Sequence, residues 1–469
     1  MSANATDGQL EALFNPHDIR GVWGETLDEY AVRQIVRAAV RVLRGDEDAI
    51  VLGRDGRLSS PAIHAIAVEE ITRAGLGVVD VGETATEVVY FGSGMFRLPG
   101  IMITASHNSA PWNGFKFCRP LARPVGKDSG LWDIRAFAAD PNLPAPDAQE
   151  PGPVSDQSAL SETYANHIRR LIPLKPNDDQ LTIVIDAANG MANVVAPIAF
   201  QDLNVIWLAD RIDGRFPDHE PNPLKSANLA NLIETVRREQ ADLGLAFDGD
   251  ADRLILVTET GEAVPPALAQ SHIARLAISR FTHDNQPPVV LYSEVSSQTV
   301  PLLIESSGAT AVQTPVGHSA IKALMATHHA IAAVEHSGHY YFNATFNADS
   351  ALLAAALVIN DLIAKRGTCT VRERLADLPR WYMAEEENWT TASPDTVYAQ
   401  VRTELQFEPS PLLGGGVAYQ TSNWRATLRP SNTEPLLRFN VEADAEHLLK
   451  DIQARFQLAL HAAGAQPEG

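Results

Sequence analysis

Cysteine, long apolar runs and positive charge are all scarce in this chain of 469 residues. Cys118 and Cys369 are the only cysteines, too few for a disulfide framework or a cysteine-ligated metal site. The longest near-continuous apolar stretch, Ala351 to Ile359, falls far short of the ~18–20 residues that cross a bilayer. Met1 to Gln9 carries neither a basic start nor an apolar segment, so no signal peptide is expected. With 37 basic against 58 acidic residues the net charge is −21, which argues against a general nucleic-acid binder, since phosphate backbones require a basic face. The expectation is a cytoplasmic protein with no nucleic-acid or membrane partner, acting as a monomer or homodimer. A small phosphorylated ligand remains compatible, because it needs only a local cluster of Lys and Arg.

What is present is a repeating alternation of strand and helix. Apolar strand candidates at Ala49–Gly53, Leu181–Ile185 and Val289–Tyr292 each lead through a helical stretch to a second strand, at Gly77–Val81, Val205–Leu208 and Ala309–Gln313. A further helix and a third strand follow, at Gly100–Ile103, Leu243–Phe247 and Ile331–Val334. That order predicts βαβ units and mainly parallel sheets. Pro141 to Pro153 holds five prolines in thirteen residues and reads as a linker, after which Leu160, Tyr164, Ile168 and Leu171 mark one face of a helix. From about Arg380 the texture changes, with strands at Val417–Thr421 and Trp424–Leu428 and an amphipathic helix over Glu446–His461. The chain therefore divides into α/β domains over 1–153, 154–262 and 263–379 and a smaller α+β domain over 380–469.

Ligands of open α/β sheets sit at the carboxyl ends of strands, and the segments that follow the three third strands are polar and reactive. Asp248, Asp250 and Asp252 alternate after an apolar strand, an oxygen-rich set suited to Mg²⁺ or, alternatively, a turn of solvated carboxylates. A calcium loop is excluded, since Arg253 stands where the turn glycine belongs and Leu254–Val257 reads as strand. Ser106, with His107 beside it and Lys116 ten residues on, is either a nucleophile or a turn serine; no Gly-x-Ser-x-Gly elbow surrounds it. Glu335, Ser337 and His339 alternate at a spacing that offers hydroxyl recognition, or form a polar strand edge. The loop Arg429-Pro-Ser-Asn-Thr-Glu-Pro435 is a phosphate cradle or an ordinary surface turn. Together the four segments cover acceptor, metal, hydroxyl recognition and phosphate clamp, the requirements of phosphoryl transfer to a sugar.

With Asp18-Ile-Arg-Gly21, Gly53–Pro61, Thr104–Asn108, Asn113-Gly-Phe-Lys116, Asp248–Arg253, Glu335–His339 and Arg429–Pro435 in family order, nearly the whole chain resembles the α-D-phosphohexomutases, in particular their bacterial phosphomannomutase/phosphoglucomutase branch. The resemblance implies three related α/β domains with mainly parallel mixed sheets and a C-terminal α+β domain around a central cleft. It implies interconversion of hexose 1- and 6-phosphates of mannose or glucose through a phosphoserine enzyme, with a hexose 1,6-bisphosphate as intermediate and activator. Ser106 would carry the phosphate, and Asp248, Asp250 and Asp252 would hold Mg²⁺ together with it. Arg20, His107, Lys116 and Arg253 would surround the transfer site, with His107 or Lys116 handling the hydroxyl proton. Glu335, Ser337, His339 and His318 would face the sugar, and Arg429, Ser431, Asn432 and Thr433 the phosphate not being transferred. His17, Ser296, Val334 and His336 depart from the family's usual residues, which bears on sugar preference. The rival readings are a phosphoglucosamine mutase, an aspartate-nucleophile phosphatase suggested by Phe247-Asp-Gly-Asp250, and a catalytically weak sugar-phosphate-binding protein on the same fold.

Overall fold

Each of the three alternating segments folds into a sheet with one strand order. In the computed structural model, which describes residues 10–174, 181–282, 286–365, 368–430 and 436–468, the first sheet places Gly77–Glu83, Ala49–Arg54 and Gly100–Ile103 side by side and parallel, followed by antiparallel Trp112–Arg119. The second repeats this with Asn204–Leu208, Thr182–Asp186, Leu243–Phe247 and antiparallel Leu254–Thr258. The third does so with Thr310–Thr314, Val289–Ser293, Ala332–Val334 and antiparallel Tyr340–Phe342. Ile19–Val22 adds an antiparallel edge to the first sheet, and Val154–Asp156, beyond the proline-rich stretch, pairs parallel with Gly77–Glu83. The repetition inferred from strand order is thus one topology used three times.

Local chemistry accounts for these elements. Leu243–Phe247 is buried at every position, as expected for a central strand covered on both faces. Helix Glu29–Leu43 starts where the Asp28 side chain accepts the Ala31 N–H at 2.8 Å, and it buries Val32, Ile35, Val36, Ala39 and Leu43 along one stripe. The C-terminal segment forms an antiparallel sheet whose long central strands are Trp424–Pro430 and Leu437–Ala443, covered by helices Pro394–Leu405 and Glu446–Ala462. Among the described residues no helix is long and apolar enough to cross a membrane.

The cores set how the domains relate. A continuous cluster runs from Val51 and Val88 through Tyr164 and Ile183 to Leu245, Ile273 and Leu352, so apolar packing joins the first three domains. The fourth has its own core of Trp389, Tyr419, Phe439 and Phe456. It meets the third domain through polar contacts. The Glu294 carboxylate accepts the N–H groups of Leu413 at 2.6 Å and Gly414 at 2.8 Å, and Arg425 donates to the carbonyls of Glu294 and Ser296 at 2.5 and 3.2 Å. Ser296 is therefore a buried backbone acceptor whose Oγ has no partner among the described residues.

Candidate active site

The three polar segments are the connections between the third, parallel strand and the fourth, antiparallel strand of each sheet, and the fold brings them together. Ser106 Oγ lies 3.0 Å from Asp248 Oδ2 and 3.1 Å from His107 Nδ1. His339 Nε2 is 3.2 Å from Asp252 Oδ1, and the Leu254 N–H donates to the Gly338 carbonyl at 3.0 Å, tying the Glu335–His339 loop to the aspartate loop. Gly249 lets the aspartate loop approach this closely, because a Cβ there would come within 2.6 Å of the Ser106 carbonyl oxygen.

Ser106 is held in a left-handed backbone conformation, φ 51°, unusual for a residue with a Cβ. Its N–H donates to Thr104 Oγ1 at 2.8 Å. Beneath the loop, the buried Arg57 guanidinium donates to the carbonyls of Ser106 and Asn108 at 2.8 and 2.7 Å, to those of Ser109 and Trp112 at 2.8 and 3.0 Å, and to Asp55 at 3.0 Å. A left-handed serine whose loop is fixed by so many bonds is the arrangement expected of a functional loop.

The aspartates are fully buried, and their carboxylate oxygens come within 4.8 Å of one another. Lys116 Nζ donates to Asp250 Oδ2 at 2.7 Å and Asp252 Oδ2 at 2.5 Å, and the Thr86 hydroxyl donates to Asp250 Oδ2 at 2.6 Å. Burial opposes the Lys116 charge, but Asp250 and Asp252 outweigh it and raise its pKa, so it is a fixed cation. Burial, with the charges of Asp252 and Asp250, pushes Asp248 well above the usual carboxylate range. Asp250 Oδ1 is buried without a hydrogen bond among the described residues, and the only contact of Asp252 Oδ1 there is His339 at 3.2 Å. Three crowded carboxylates, one with an orphaned oxygen, fit a hard divalent cation with oxygen ligands.

Around this centre Arg20 pairs with Asp18 at 2.8 Å and with the Asn108 side chain, and Arg253 Nε stands 3.6 Å from Asp248. His107 is pushed well below its ordinary pKa by burial and by Arg253 and Arg20, so its imidazole is neutral at pH 7. Glu335 accepts the Gly317 N–H at 3.0 Å and the Tyr341 hydroxyl at 2.9 Å; burial works against its charge, yet His339 and these donors hold it down to about 2. His339 is raised to about 9 because Asp252, with a contribution from Glu335, overcomes burial, and its Nδ1 is 2.7 Å from Ser337 Oγ. His318 sits next to Gly317 with both ring nitrogens buried and without a hydrogen-bond partner among the described residues, its ring centroid 5.5 Å from that of His17, whose Nδ1 is 2.8 Å from Ser319 Oγ.

Arg429 lies on Trp424–Pro430 of the fourth domain, where it contacts Glu386 rather than the serine loop. Ser431, Asn432 and Thr433 lie outside the described residues. The geometry also adds groups that sequence spacing did not single out as site residues. Arg57 stands inside the quoted Gly53–Pro61 segment, whereas Thr86 and Tyr341 have no local signature and gain their place only through tertiary contacts.

Four family models match along the chain: phosphoglucomutase/phosphomannomutase alpha/beta/alpha domain I over residues 11–136, domain II over 162–261, domain III over 270–382, and the C-terminal domain over 412–459. A phosphomannomutase of Salmonella typhimurium is 32% identical over 465 residues, covering 95% of this chain and 98% of that protein. A phosphoglucomutase of Neisseria meningitidis is 32% identical over 460 residues, covering 96% of each. The crystal structure of a phosphoglucomutase/phosphomannomutase family protein from Burkholderia thailandensis superimposes with a TM-score of 0.85 at 28% identity, covering 97% of this chain and 99% of that one. The serine loop, the aspartate loop and the Glu335–His339 loop thus meet within an architecture matched over nearly its whole length, and the chain belongs to the phosphoglucomutase/phosphomannomutase family of α-D-phosphohexomutases.

Proposed function

We propose that this phosphohexomutase interconverts the 1- and 6-phosphates of mannose or glucose by way of phosphorylated Ser106 and a hexose 1,6-bisphosphate. The observation that carries this reading is the convergence on Ser106 Oγ, with Asp248 at 3.0 Å and His107 at 3.1 Å, on a loop held in a left-handed backbone conformation at Ser106.

Glu335, His339, Ser337 and His318 bind the sugar hydroxyls, and Arg429 holds the phosphate not being transferred. The Oγ–P bond of phosphorylated Ser106 breaks as the free sugar hydroxyl oxygen bonds to phosphorus. The hydroxyl proton passes by way of His107 to Oγ, which ends as the serine hydroxyl; Lys116 is committed to two carboxylates and acts as a charge. The bisphosphate turns end over end, its other phosphate meets Ser106, and the reverse transfer restores the phosphoserine. Asp248, Asp250 and Asp252 would hold Mg²⁺, which when bound supplies charge stabilisation to the transferring phosphoryl oxygens. Arg20 and Arg253 flank the same centre, so catalysis is positioning plus fixed charge. A cytoplasmic setting, with both cysteines as free thiols, is part of the proposal.

Phosphorus NMR tests the reading. With Mg²⁺ and a trace of glucose 1,6-bisphosphate, mannose 1-phosphate and glucose 1-phosphate convert to 6-phosphates, and Ser106→Ala abolishes the conversion. Release of free phosphate instead would return the chain to the phosphatase reading, and faster turnover of glucosamine 1-phosphate would make it a phosphoglucosamine mutase.

A further inference from the structure

In the fourth domain one carboxylate gathers two guanidinium groups and an amide. Glu386 Oε2 accepts from Arg429 at 3.1 Å and from the Asn440 amide at 2.8 Å, while Oε1 accepts from Arg438 at 3.0 Å. Two guanidinium groups and an amide around one carboxylate are the donor set that a phosphate would take. The Glu386 side chain is 32% exposed and Arg429 16%, so the carboxylate has water to turn to if another anion takes its donors. Burial opposes the Glu386 charge, but Asn440, Arg429 and Arg438 hold it ionised. Arg429 and Arg438 repel each other across this site, and Glu386 supplies the negative charge between them.

We infer that Glu386 is a resident counter-anion of the far phosphate site, a positioning residue that keeps Arg429 and Arg438 together when no substrate is bound and competes with the substrate phosphate for them. This rests on the reading that Arg429 receives the phosphate not being transferred. When a phosphate dianion arrives, it takes over the neutralising role and leaves Glu386 as surplus negative charge, so the grip on phosphate is weaker than the two arginines alone would give. A reaction whose bisphosphate must leave this site and turn in every cycle requires a grip of that kind. A clamp without the competing carboxylate holds each phosphate longer, and reorientation becomes the slow step.

The test compares wild type, Glu386→Gln and Glu386→Asp. Binding of mannose 6-phosphate is measured by calorimetry, with kcat and KM from the mutase assay. Removing the charge with Gln lowers the Kd for mannose 6-phosphate about tenfold, the effect of a single part-buried charge, and lowers kcat and KM together. Asp, which keeps the charge, leaves the Kd within about threefold of wild type, inside the range of a surface-type contact. A carboxylate that merely braces Arg429 gives the opposite sign: Gln weakens binding and raises KM. Unchanged or weaker binding by the Gln protein overturns the inference, and if that protein does not fold, a tenfold loss of affinity in the Asp protein does so. Wild type separates the two levels of the account. If it neither binds mannose 6-phosphate nor turns over a hexose phosphate, the mutase reading fails and takes this inference with it. If it does both while Gln weakens binding, only the role of Glu386 is lost.

Discussion

Replacing Arg57 by Met should disable phosphoryl transfer while leaving the Arg429 site of the fourth domain intact. Arg57 is 1% exposed and spends its donors on four loop carbonyls and Asp55, so Met fills the volume and removes every one of those bonds. Hydrogen bonds from a charged donor contribute about 1.5–3 kcal/mol each and are far from additive. Removing one partner of a buried ion pair, here with Asp55, costs about 3–5 kcal/mol. Holding a non-glycine residue such as Ser106 at φ 51° costs of order 1–3 kcal/mol, which the web of Arg57 bonds to the loop carbonyls sustains. With the web gone the loop relaxes, and a displacement of about 1 Å at the reacting oxygen costs roughly 100-fold in rate. The assay is kcat for glucose 1-phosphate conversion, the fraction of enzyme phosphorylated at Ser106 by intact mass, and the Kd for mannose 6-phosphate. Arg57→Met is expected to lose about 100-fold or more in kcat with the Kd little changed, and Arg57→Lys, which can serve Asp55 but not all four carbonyls, falls between. A folded Arg57→Met enzyme with near-wild-type kcat would refute the reasoning.

Further outcomes follow from the same geometry. Lys116→Met leaves Asp250 and Asp252 buried without their cation and should lower both kcat and thermal stability, the stability by about 3–5 kcal/mol. His339, raised to about 9, is charged in the fold above the pH at which a free imidazole releases its proton; its contribution is complete below pH ~6.5 and is lost as pH rises through about 9. Its imidazole resonances should titrate near that value by NMR, and Glu335→Gln should bring the titration down and raise KM. Glu87 is driven up to about 8 by burial, against the hydrogen bonds from Ser350 and Tyr164. It stays protonated in the fold while the unfolded chain ionises from pH ~4.5 upward, so the fold loses about 1.4 kcal/mol per pH unit between those values. Glu87→Gln should therefore melt higher than wild type at pH 8 and similarly at pH 4.5. Chelation with EDTA should abolish mutase activity, and added Mg²⁺ should restore it; activity that survives chelation contradicts the role given to the three aspartates.

Much of the fold was legible because alternation and apolar runs are local signals. Gly100–Ile103 and Leu243–Phe247 form strands over those same residues, while Ala309–Gln313 moves by one position to Thr310–Thr314. The shared strand order followed from the sequence of elements, and low identity among the three segments hid only the exact repetition. Ser106 and the aspartates could be picked out because each follows a buried strand. Thr86 could not, since its partner Asp250 lies 164 residues away and a threonine opening a helix has no distinguishing context. Glu386, between Glu385 and Glu387, reads as part of a solvated acidic run, and only the fold sets it against two arginines from neighbouring strands. Val154–Asp156 was obscured by the prolines before it, because a three-residue edge strand carries too little periodicity to register.

The central claim is that Ser106 carries the transferring phosphate. The most direct test phosphorylates the enzyme with ³²P-labelled glucose 1,6-bisphosphate, removes free ligand, and quenches it at short times after mixing with excess unlabelled glucose 6-phosphate. The label should leave Ser106 and appear in glucose 1,6-bisphosphate within a single turnover, with none incorporated into Ser106→Ala. Label that stays on the protein, sits on another residue, or emerges as inorganic phosphate at the turnover rate contradicts the account.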